Sequence, residues 1–287
     1  MGWRSMKVEF FSNPVDFLKV VKPVLVRAET RNSLVYGLAQ TLAKDSTSYK
    51  DFELWVIRNE GGELLAAALM TPPYPLVIWS DPLNDQAIGE LAARLIEAGV
   101  KVPAVNGPES EAESFARFWT LKTGQKLRDG MRMRAYELVE VIEPPQPAGE
   151  MRQAKGTDAE VILTLLTAMQ KEAMANDASR LTLEKVGRAI ESGVVYVWEV
   201  DHRAVTVAMK SRGTETSQSI SGVYTLPEER GKGYASAIVA GLAQMILDDG
   251  KRMATLFTDL SNPTSNSIYQ KVGFKTVCDY QQYDFVE

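Results

Sequence analysis

Hydrophobic positions change their spacing repeatedly along this 287-residue chain, and the changes predict alternating helices and strands. Apolar residues three and four apart predict helices, whereas short runs of β-branched and aromatic residues predict strands. The first half is predicted to form helices over residues 14–42, 84–98 and 110–123 and strands over residues 52–58, 64–71, 76–79, 102–105 and 131–141. The second half is predicted to form helices over residues 161–174, 183–191, 235–249 and 263–272 and strands over residues 151–154, 194–200, 204–210, 219–225, 254–259 and 275–285.

The two halves therefore have similar orders of predicted elements. We expect a divergent internal duplication whose period is close to half the chain. The order in the second half indicates an α/β fold of the α+β type, in which helices flank a mixed, mostly antiparallel sheet. Two domains of this kind are expected, because the chain is longer than one typical hydrophobic core.

A proline-rich segment separates the halves. Residues 143–150 contain three prolines and a glycine, which neither a helix nor a central strand tolerates. We therefore predict a first domain over residues 1–142, a linker over residues 143–150 and a second domain over residues 151–287.

Charge and composition exclude several classes of function. The net charge is −5 and no long run of Lys and Arg occurs, so we expect no nucleic-acid partner. The single cysteine, Cys278, excludes an intrachain disulfide and a cysteine zinc site, and we expect no metal. The lone histidine, His202, is predicted to be an exposed turn residue, which disfavours hydrolases that need a catalytic histidine. We find neither a membrane-spanning stretch nor a signal peptide, so a soluble, cytoplasmic protein is expected.

The chemistry-bearing motif lies between the predicted strand 219–225 and the predicted helix 235–249. Residues 230–236 read Arg-Gly-Lys-Gly-Tyr-Ala-Ser. Gly231 and Gly233 allow the backbone to approach an anion, and the helix that follows adds free N–H groups and the positive end of its dipole. Arg230 and Lys232 add positive charge. The carboxylates of residues 228 and 229 are expected to be solvated or paired with Arg230.

Known phosphate-binding motifs differ in how well they match this segment. A P-loop pattern is absent, and a dinucleotide fingerprint fails because Ser236 stands in place of its third glycine. The pattern Q/R-x-x-G-x-G/A is matched by Arg230, Gly233 and Ala235. About thirty residues later, Asn262 begins a short predicted helix that carries Tyr269 and ends in Lys-Val-Gly-Phe. With both motifs in this order, residues 151–287 resemble a GCN5-related N-acetyltransferase (GNAT) domain, and the first half resembles a degenerate copy.

The resemblance implies an acetyltransferase that passes the acetyl group of acetyl-CoA directly to an amine in a ternary complex. It implies that the edge of the predicted strand pairs with the pantetheine arm where the central strands splay apart, and that Asn262 lies beside this arm, although this residue is also a good helix N-cap. The implied cofactor-binding residues are Val223, Tyr224, Thr225, Arg230, Gly231, Lys232, Gly233, Tyr234, Ala235, Ser236 and Asn262.

Tyr269 matches the family's general acid, which protonates the departing CoA thiolate. We expect Ile268 and Val272 to mark the buried face of its helix and Tyr269 to point elsewhere, since it lies about 100° round the axis. The competing interpretation is a tyrosine that only packs under the sheet. The proton acceptor stays open between Asp259, a chain of waters and an amine that is already neutral.

The corresponding segment of the first half, residues 79–85, has no paired glycines and no Arg. We expect that this copy has lost its phosphate cradle and is structural or shapes the acceptor pocket. The partner is a small-molecule amine or a peptide, and amino acids, polyamines, aminoglycosides, peptide N-termini and protein lysines are all compatible. A module that binds acyl-CoA without catalysis remains the alternative function. A monomer is favoured, with a homodimer as the alternative, and no membrane partner is expected.

Overall fold

The computed structural model of the chain describes residues 6–173 and 181–287. Met174, the last residue of the predicted helix 161–174, lies outside the described residues. The strands are β1 (Met6–Phe10), β2 (Glu53–Asn59), β3 (Leu64–Met70), β4 (Leu76–Trp79), β5 (Ala104–Pro108), β6 (Lys126–Leu138), β7 (Glu150–Gln153), β8 (Val195–Val200), β9 (Arg203–Gly213), β10 (Ser217–Thr225), β11 (Met253–Asp259) and β12 (Lys275–Val286). The helices are α1 (Pro14–Leu25), α2 (Glu29–Lys44), α3 (Asp85–Glu97), α4 (Glu109–Thr123), α5 (Ala159–Ala173), α6 (Leu183–Glu191), α7 (Tyr234–Asp248) and α8 (Pro263–Val272).

The element order β-α-α-β-β-β-α-β-α-β occurs twice along the described chain. The first copy runs from β1 to β6 and the second from β7 to β12. The predicted α/β class and the predicted duplication of element order are both confirmed.

The residues group into two compact units. Unit 1 comprises the described residues up to Ala135, together with Asp259–Ser261 and Val277–Glu287, and unit 2 comprises Tyr136–Thr258 and Asn262–Thr276. Neither unit is therefore one continuous half of the chain, because most of the last strand of the second copy belongs to unit 1. The predicted boundaries in the proline-rich segment stay a prediction.

Unit 1 contains a mixed sheet with helices on both faces. β1 to β4 pair antiparallel in sequence, β4 and β5 pair parallel, and β12 pairs antiparallel with β5. Side chains of β2 alternate between the two faces: Leu54 and Val56 pack with α1 and α2, whereas Ile57 packs with α3 and α4. This alternation is the period-two pattern of a strand that is covered on both sides.

Unit 2 repeats the arrangement. β7 to β10 form an antiparallel run, and β10 pairs parallel with β11. On β8, Val195 and Val197 face α5 and α6, whereas Tyr196 and Trp198 belong to the core formed with α7 and α8. Strand β8 is thus covered by a hydrophobic layer on each face.

The first half agrees with its prediction in the helical stretch and differs from it at β6 and β1. The mostly helical stretch predicted over residues 14–42 is two helices, α1 and α2, because Pro23 lies near the end of α1 and Ala28 leaves the helical region with φ −137°. The buried amide of Asn32 then donates to the carbonyl of Leu25 at 2.9 Å and satisfies that helix end. The strand predicted over residues 131–141 begins at Lys126 instead, and β1 was not predicted.

No helix within residues 6–173 and 181–287 is both long and apolar enough to cross a membrane.

Candidate functional site

The loop between β10 and α7 holds two glycines in a backbone conformation that other residues rarely adopt. Gly231 has φ +79° and Gly233, the N-cap of α7, has φ +92°. A Cβ atom on Gly231 would meet no atom of the described residues within 4 Å, so the backbone angle, and not crowding, requires the glycine. The first turn of α7 presents N–H groups that have no acceptor inside the helix. This open helix start fits a phosphate or diphosphate group.

The basic side chains of the loop are already paired with carboxylates. Lys232 Nζ lies 2.7 Å from Oε2 of Glu229, and this hydrogen bond raises the pKa of the lysine. Arg230 Nη2 lies 2.9 Å from Oε2 of Glu172. The expectation that Glu229 is solvated or paired with Arg230 was therefore wrong, because each basic side chain takes a different carboxylate.

Glu172, near the end of α5, is a residue of this region that sequence reasoning missed. Its Oε1 accepts hydrogen bonds from Tyr224 Oη at 2.6 Å and from Arg230 Nη2 at 3.0 Å. The Arg230 guanidinium also lies over the Tyr224 ring, with Cζ 5.1 Å from the ring centroid. The hydrogen bond from Tyr224 holds the pKa of Glu172 below its usual value, so this group is an anion at neutral pH. No local motif could reveal it, since 52 positions separate Glu172 from Tyr224.

β10 separates from β11 after four paired positions. Their parallel register runs from Ser217 opposite Met253 to Ile220 opposite Leu256. An irregularity follows between Ser221 and Tyr224 in the pairing with β9. The splay predicted for the central strands is confirmed by where the register ends. The last residues of β10, Val223 to Thr225, thus present a strand edge that an extended ligand could use.

Gly222 makes this irregularity possible. It has φ +63°, and a Cβ atom there would lie 2.5 Å from Cε of Met209. The backbone angle therefore requires glycine at this position, whereas the Met209 methyl, at the end of a flexible side chain, could move aside. The sequence contained the signal, a glycine inside a predicted strand, but we did not interpret it as a bulge.

The two remaining groups of predicted cofactor-binding residues lie at the starts of helices. Tyr234, Ala235 and Ser236 are the first three residues of α7. Asn262 is the N-cap of α8, where its Oδ1 accepts from the amide of Ser265 at 3.0 Å. The capping role predicted for Asn262 is confirmed, and its position beside a ligand stays a prediction.

Tyr269 lies on α8 inside the core of unit 2. It is 7% exposed, and its ring centroid is 6.1 Å from that of Phe274 and 6.3 Å from that of Tyr136. Burial raises the pKa of Tyr269 to about 12, while a hydrogen bond with Ser265 partly opposes the rise. The expected buried face was wrong, because Tyr269 and Val272 are the buried pair and Ile268 is only half-buried.

Tyr136 is a second tyrosine that sequence reasoning did not single out. It comes from β6 and its side chain is fully buried. Its hydroxyl donates to Oδ1 of Asn266 at 2.9 Å, and Nδ2 of Asn266 donates to the carbonyl of Asn262 at 2.7 Å. This chain of hydrogen bonds orients the first turn of α8, the helix that carries Tyr269. A residue 130 positions from its partner in sequence could not be assigned without the fold.

Asp259 is the last residue of β11. Its Oδ1 accepts from both the amide and the hydroxyl of Ser261, each at 2.7 Å. One carboxylate oxygen thus stabilises the turn that follows the strand. Its assignment as a proton acceptor stays a prediction.

Two side chains that a covalent mechanism would require are unsuited to it. His202 is fully exposed at the turn between β8 and β9, where it has φ +62°, which confirms its prediction as a turn residue. Burial raises the pKa of the Cys278 thiol to about 11, so this thiol is protonated near neutral pH. Since the nucleophile in cysteine chemistry is the thiolate, Cys278 is a poor nucleophile.

The connection from β4 to α3 in the first copy is built differently. Ser80 is completely buried, donates to the carbonyl of Leu65 at 2.8 Å and accepts from the amide of Asn84 at 3.0 Å. Asn84 caps α3 by accepting from the amide of Ala87 at 2.9 Å. The carboxylate of Asp85 occupies the first turn, where it accepts from Ser114 at 2.5 Å. The polar side chains at this helix start therefore all have hydrogen-bond partners within the protein.

Comparisons with known proteins bear on the second copy and on the whole fold. The family model described as "FR47-like protein" matches residues 202–284. No curated protein matches the chain. Several solved structures do, although at identities this low the similarity shows the fold alone.

Three examples among the solved structures that match nearly the whole chain are the following. A GCN5-related N-acetyltransferase from Sphaerobacter thermophilus is 16% identical, with a TM-score of 0.63, and the match covers 97% of this chain and 94% of that one. A GNAT-family acetyltransferase from Colwellia psychrerythraea is 10% identical, with a TM-score of 0.60 and coverage of 98% and 100%. A tandem GNAT protein from the clavulanic acid biosynthesis pathway is 13% identical, with a TM-score of 0.53 and coverage of 97% and 98%.

Proposed function

We propose, from the premise that this chain has the GCN5-related N-acetyltransferase fold in a tandem arrangement, that it is an acetyl-CoA-dependent N-acetyltransferase. The observation that carries the proposal is the open, glycine-lined start of α7, which directly follows the splayed edge of β10. An anion-binding helix start and a free strand edge in one continuous segment suit a ligand that is anionic at one end and extended at the other.

Acetyl-CoA fits the groups that this segment offers. The diphosphate would be held by backbone amides from Arg230 to Ser236, and the pantetheine arm by the edge of Val223 to Thr225, with Asn262 beside it. When bound, acetyl-CoA supplies an acetyl group activated as a thioester. Gly231 leaves space near the amides, and its φ of +79° is one that other residues rarely adopt. Among the described residues no cluster of His, Cys, Asp and Glu could hold a metal ion.

Tyr269 is the proposed general acid. With its pKa raised to about 12 by burial, its hydroxyl keeps the proton at neutral pH and can donate it from Oη to a departing thiolate. The high pKa also makes Tyr269 a weak acid, so transfer of its proton depends on the basicity of the departing thiolate. Tyr136 and Asn266 contribute by orienting α8.

The group that accepts the amine proton is not assigned to one residue. Asp259, at the end of β11, is one candidate, a water chain is an alternative, and an amine that is already neutral needs no base. The acceptor class is equally open, from amino acids and polyamines to peptide and protein amines. We propose a monomer, with a homodimer as the alternative.

A module that binds acyl-CoA without catalysing transfer is the second candidate. Two observations favour it: the Tyr269 ring lies in the hydrophobic core, and Oδ1 of Asp259 already stabilises a turn. Both candidates require the cradle at α7. They differ in whether a bound amine is acetylated.

Calorimetric titration of acetyl-CoA tests the shared requirement. Wild-type protein should bind, and Gly233→Glu should lose binding, because the new carboxylate would repel the diphosphate and block the loop. Gly250→Glu is the matched control: it places the same side chain at a glycine with φ +84° beyond the other end of α7, where no atom of the described residues lies within 4 Å of the added Cβ. Absence of binding by the wild type would refute the proposal.

A panel of amines then separates the two candidates. An acetyltransferase should release free CoA thiol with at least one amine, and Tyr269→Phe should lower kcat by roughly 10²–10⁴-fold while acetyl-CoA still binds. A binding module would show tight acetyl-CoA binding with no turnover for any amine. Equal kcat values for the wild type and Tyr269→Phe would remove Tyr269 from the mechanism.

A further inference from the structure

The proline-rich segment is anchored at both ends within unit 2. We call residues 142–149 the proline strap. At one end the amide of Ile142 donates to the carbonyl of Val272, the last residue of α8, at 2.8 Å. At the other end Nε1 of Trp198 donates to the carbonyl of Ala148 at 2.9 Å. The strap therefore runs from the helix that carries Tyr269 to strand β8, and it is not a free tether.

The last residue of the strap allows little variation. Gly149 has φ +94°, and a Cβ atom on it would lie 2.2 Å from the carbonyl oxygen of Glu199 and 2.8 Å from a methyl carbon of Val200. Any other residue would force the strap away from β8. The indole of Trp198 meanwhile stacks on Tyr234, the first residue of α7, with centroids 6.4 Å apart and 28° between the planes. The Trp198 side chain thus contacts both the strap and the first residue of α7.

The strap passes the loop between β10 and α7 at Gly233, the second glycine of that loop. The Cβ and Cγ atoms of Pro147 lie 3.9 and 4.0 Å from the position that a Cβ atom of Gly233 would occupy. On the other side of the loop, Gly231 has no described atom within 4 Å of its corresponding position. The cradle is therefore bordered by Pro147 on the side of Gly233 and open on the side of Gly231.

We propose that the proline strap is a wall of the diphosphate site and that Pro147 is a specificity-determining residue for its anionic ligand; this rests on the proposed function. Proline has no N–H and no charge, so Pro147 covers the loop without competing for its amides. Its ring excludes water from one side of the cradle, and electrostatic attraction between amides and an anion is stronger where water is excluded.

Charge substitutions at Pro147 test the wall. Pro147→Asp should weaken acetyl-CoA binding roughly tenfold at low salt, and the loss should shrink as salt rises, because the interaction between the two negative charges is screened. Pro147→Asn, similar in size but neutral, should lose much less. Pro145→Asp is the matched control, since Pro145 lies in the same strap but is exposed, and its affinity should change less than about twofold.

The outcomes distinguish failure of this proposal from failure of the proposed function on which it rests. If wild-type protein does not bind acetyl-CoA, the proposed function fails and the wall fails with it. If wild-type protein binds but Pro147→Asp and Pro145→Asp have equal affinities, the wall alone is refuted. Thermal unfolding of each variant identifies those that fail to fold. Trp198→Phe then provides an independent measurement, because it removes the hydrogen bond to Ala148 but keeps an aromatic ring against Tyr234; unchanged acetyl-CoA affinity in this variant would also refute the wall.

Discussion

The β4–α3 and β10–α7 connections occupy equivalent places in the two copies, yet they treat their helix starts in opposite ways. In the first copy Ser80 and Asn84 accept hydrogen bonds from amides at the start of α3, and Asp85 places a carboxylate in the first turn. In the second copy Gly231 and Gly233 contribute no side chain, and the space beside Gly231 is open among the described residues. A helix N-terminus attracts an anion in either case, and the first copy supplies that anion from its own chain.

The central strand pairs of the two copies also differ, because the pair in the second copy separates and the pair in the first copy stays close. β10 leaves the register with β11 after Ile220, whereas in the first copy Gly107 of β5 approaches β4 so closely that a Cβ atom would lie 3.0 Å from the carbonyl oxygen of Ile78. The proposed ligand site would therefore require glycines in the loop and a bulge that opens the strands. Polar side chains that bond to the same backbone groups would remove it.

The largest expected effect comes from adding side chains at the two glycines of the β10–α7 connection. Replacing Gly231 and Gly233 together by alanine should weaken acetyl-CoA binding roughly 30- to 900-fold, since each non-glycine residue at positive φ costs roughly 1–2 kcal/mol in the conformation that binds. Titration calorimetry measures the loss. Gly250→Ala carries the same kind of backbone strain beyond the far end of α7 and should leave affinity unchanged. Normal binding by the double variant would show that the loop does not form the site.

Removing a hydrogen-bonding side chain from the β4–α3 connection should lower the stability of the fold without changing acetyl-CoA binding. Ser80→Ala removes the donor to Leu65 and the acceptor for Asn84, so we expect the free energy of unfolding to fall by about 1–3 kcal/mol. Urea denaturation measures this change. Acetyl-CoA affinity should equal that of the wild type. Weaker acetyl-CoA binding in a variant that is otherwise stable would mean that the first copy also takes part in the site.

Removing the carboxylate nearest to Arg230 should make the surroundings of the β10–α7 loop more positively charged. Glu172→Gln removes the negative charge that pairs with Arg230, so we expect acetyl-CoA to bind roughly two- to fivefold more tightly at low salt, in the range of an exposed ion pair. The gain should vanish at high salt, which titrations at two ionic strengths would reveal. Weaker binding would mean instead that Glu172 holds Arg230 in its productive position.

The smallest effect is the pH dependence that Asp85 contributes. The hydrogen bond from Ser114, aided by Arg117, holds the pKa of Asp85 below its ordinary value. Its stabilisation is therefore present above the pKa of the unfolded chain and is lost as pH falls through the lower pKa of the folded protein. Asp85 is half exposed, so the contribution is about 1 kcal/mol or less. Asp85→Asn should flatten the acid limb of stability against pH, and an unaltered limb would contradict this assignment.

Sequence patterns predicted the second copy better than the first. The bounds of α6 and α8 match their predictions, and β10, α7 and β11 match within two residues. The cradle motif was visible because it needs consecutive residues in one loop. In the first copy the helical pattern over residues 14–42 did not reveal the break after α1, since Asn32 closes that helix end from seven residues away.

The residues that were missed share a physical property: each acts through a partner that is distant in sequence. Glu172 meets Tyr224, Tyr136 meets Asn266, and Trp198 meets the carbonyl of Ala148, 50 positions earlier. Periodicity predicts which face of an element is buried, but not which side chain of another element meets it. Tyr269 illustrates the same limit, because the spacing of apolar residues on α8 indicated the wrong buried face.

Local patterns alone determined the repeated order of elements, the turn at His202, the cap at Asn262 and the loop of paired glycines, because backbone propensity and short-range hydrogen bonds act over a few residues. Tertiary structure decided the rest. It paired Arg230 with Glu172, buried Tyr269, anchored the proline strap beside Gly233 and assigned most of the last strand to unit 1. These outcomes depend on packing between segments far apart in the chain, where burial and charge are set by neighbours that no local pattern names.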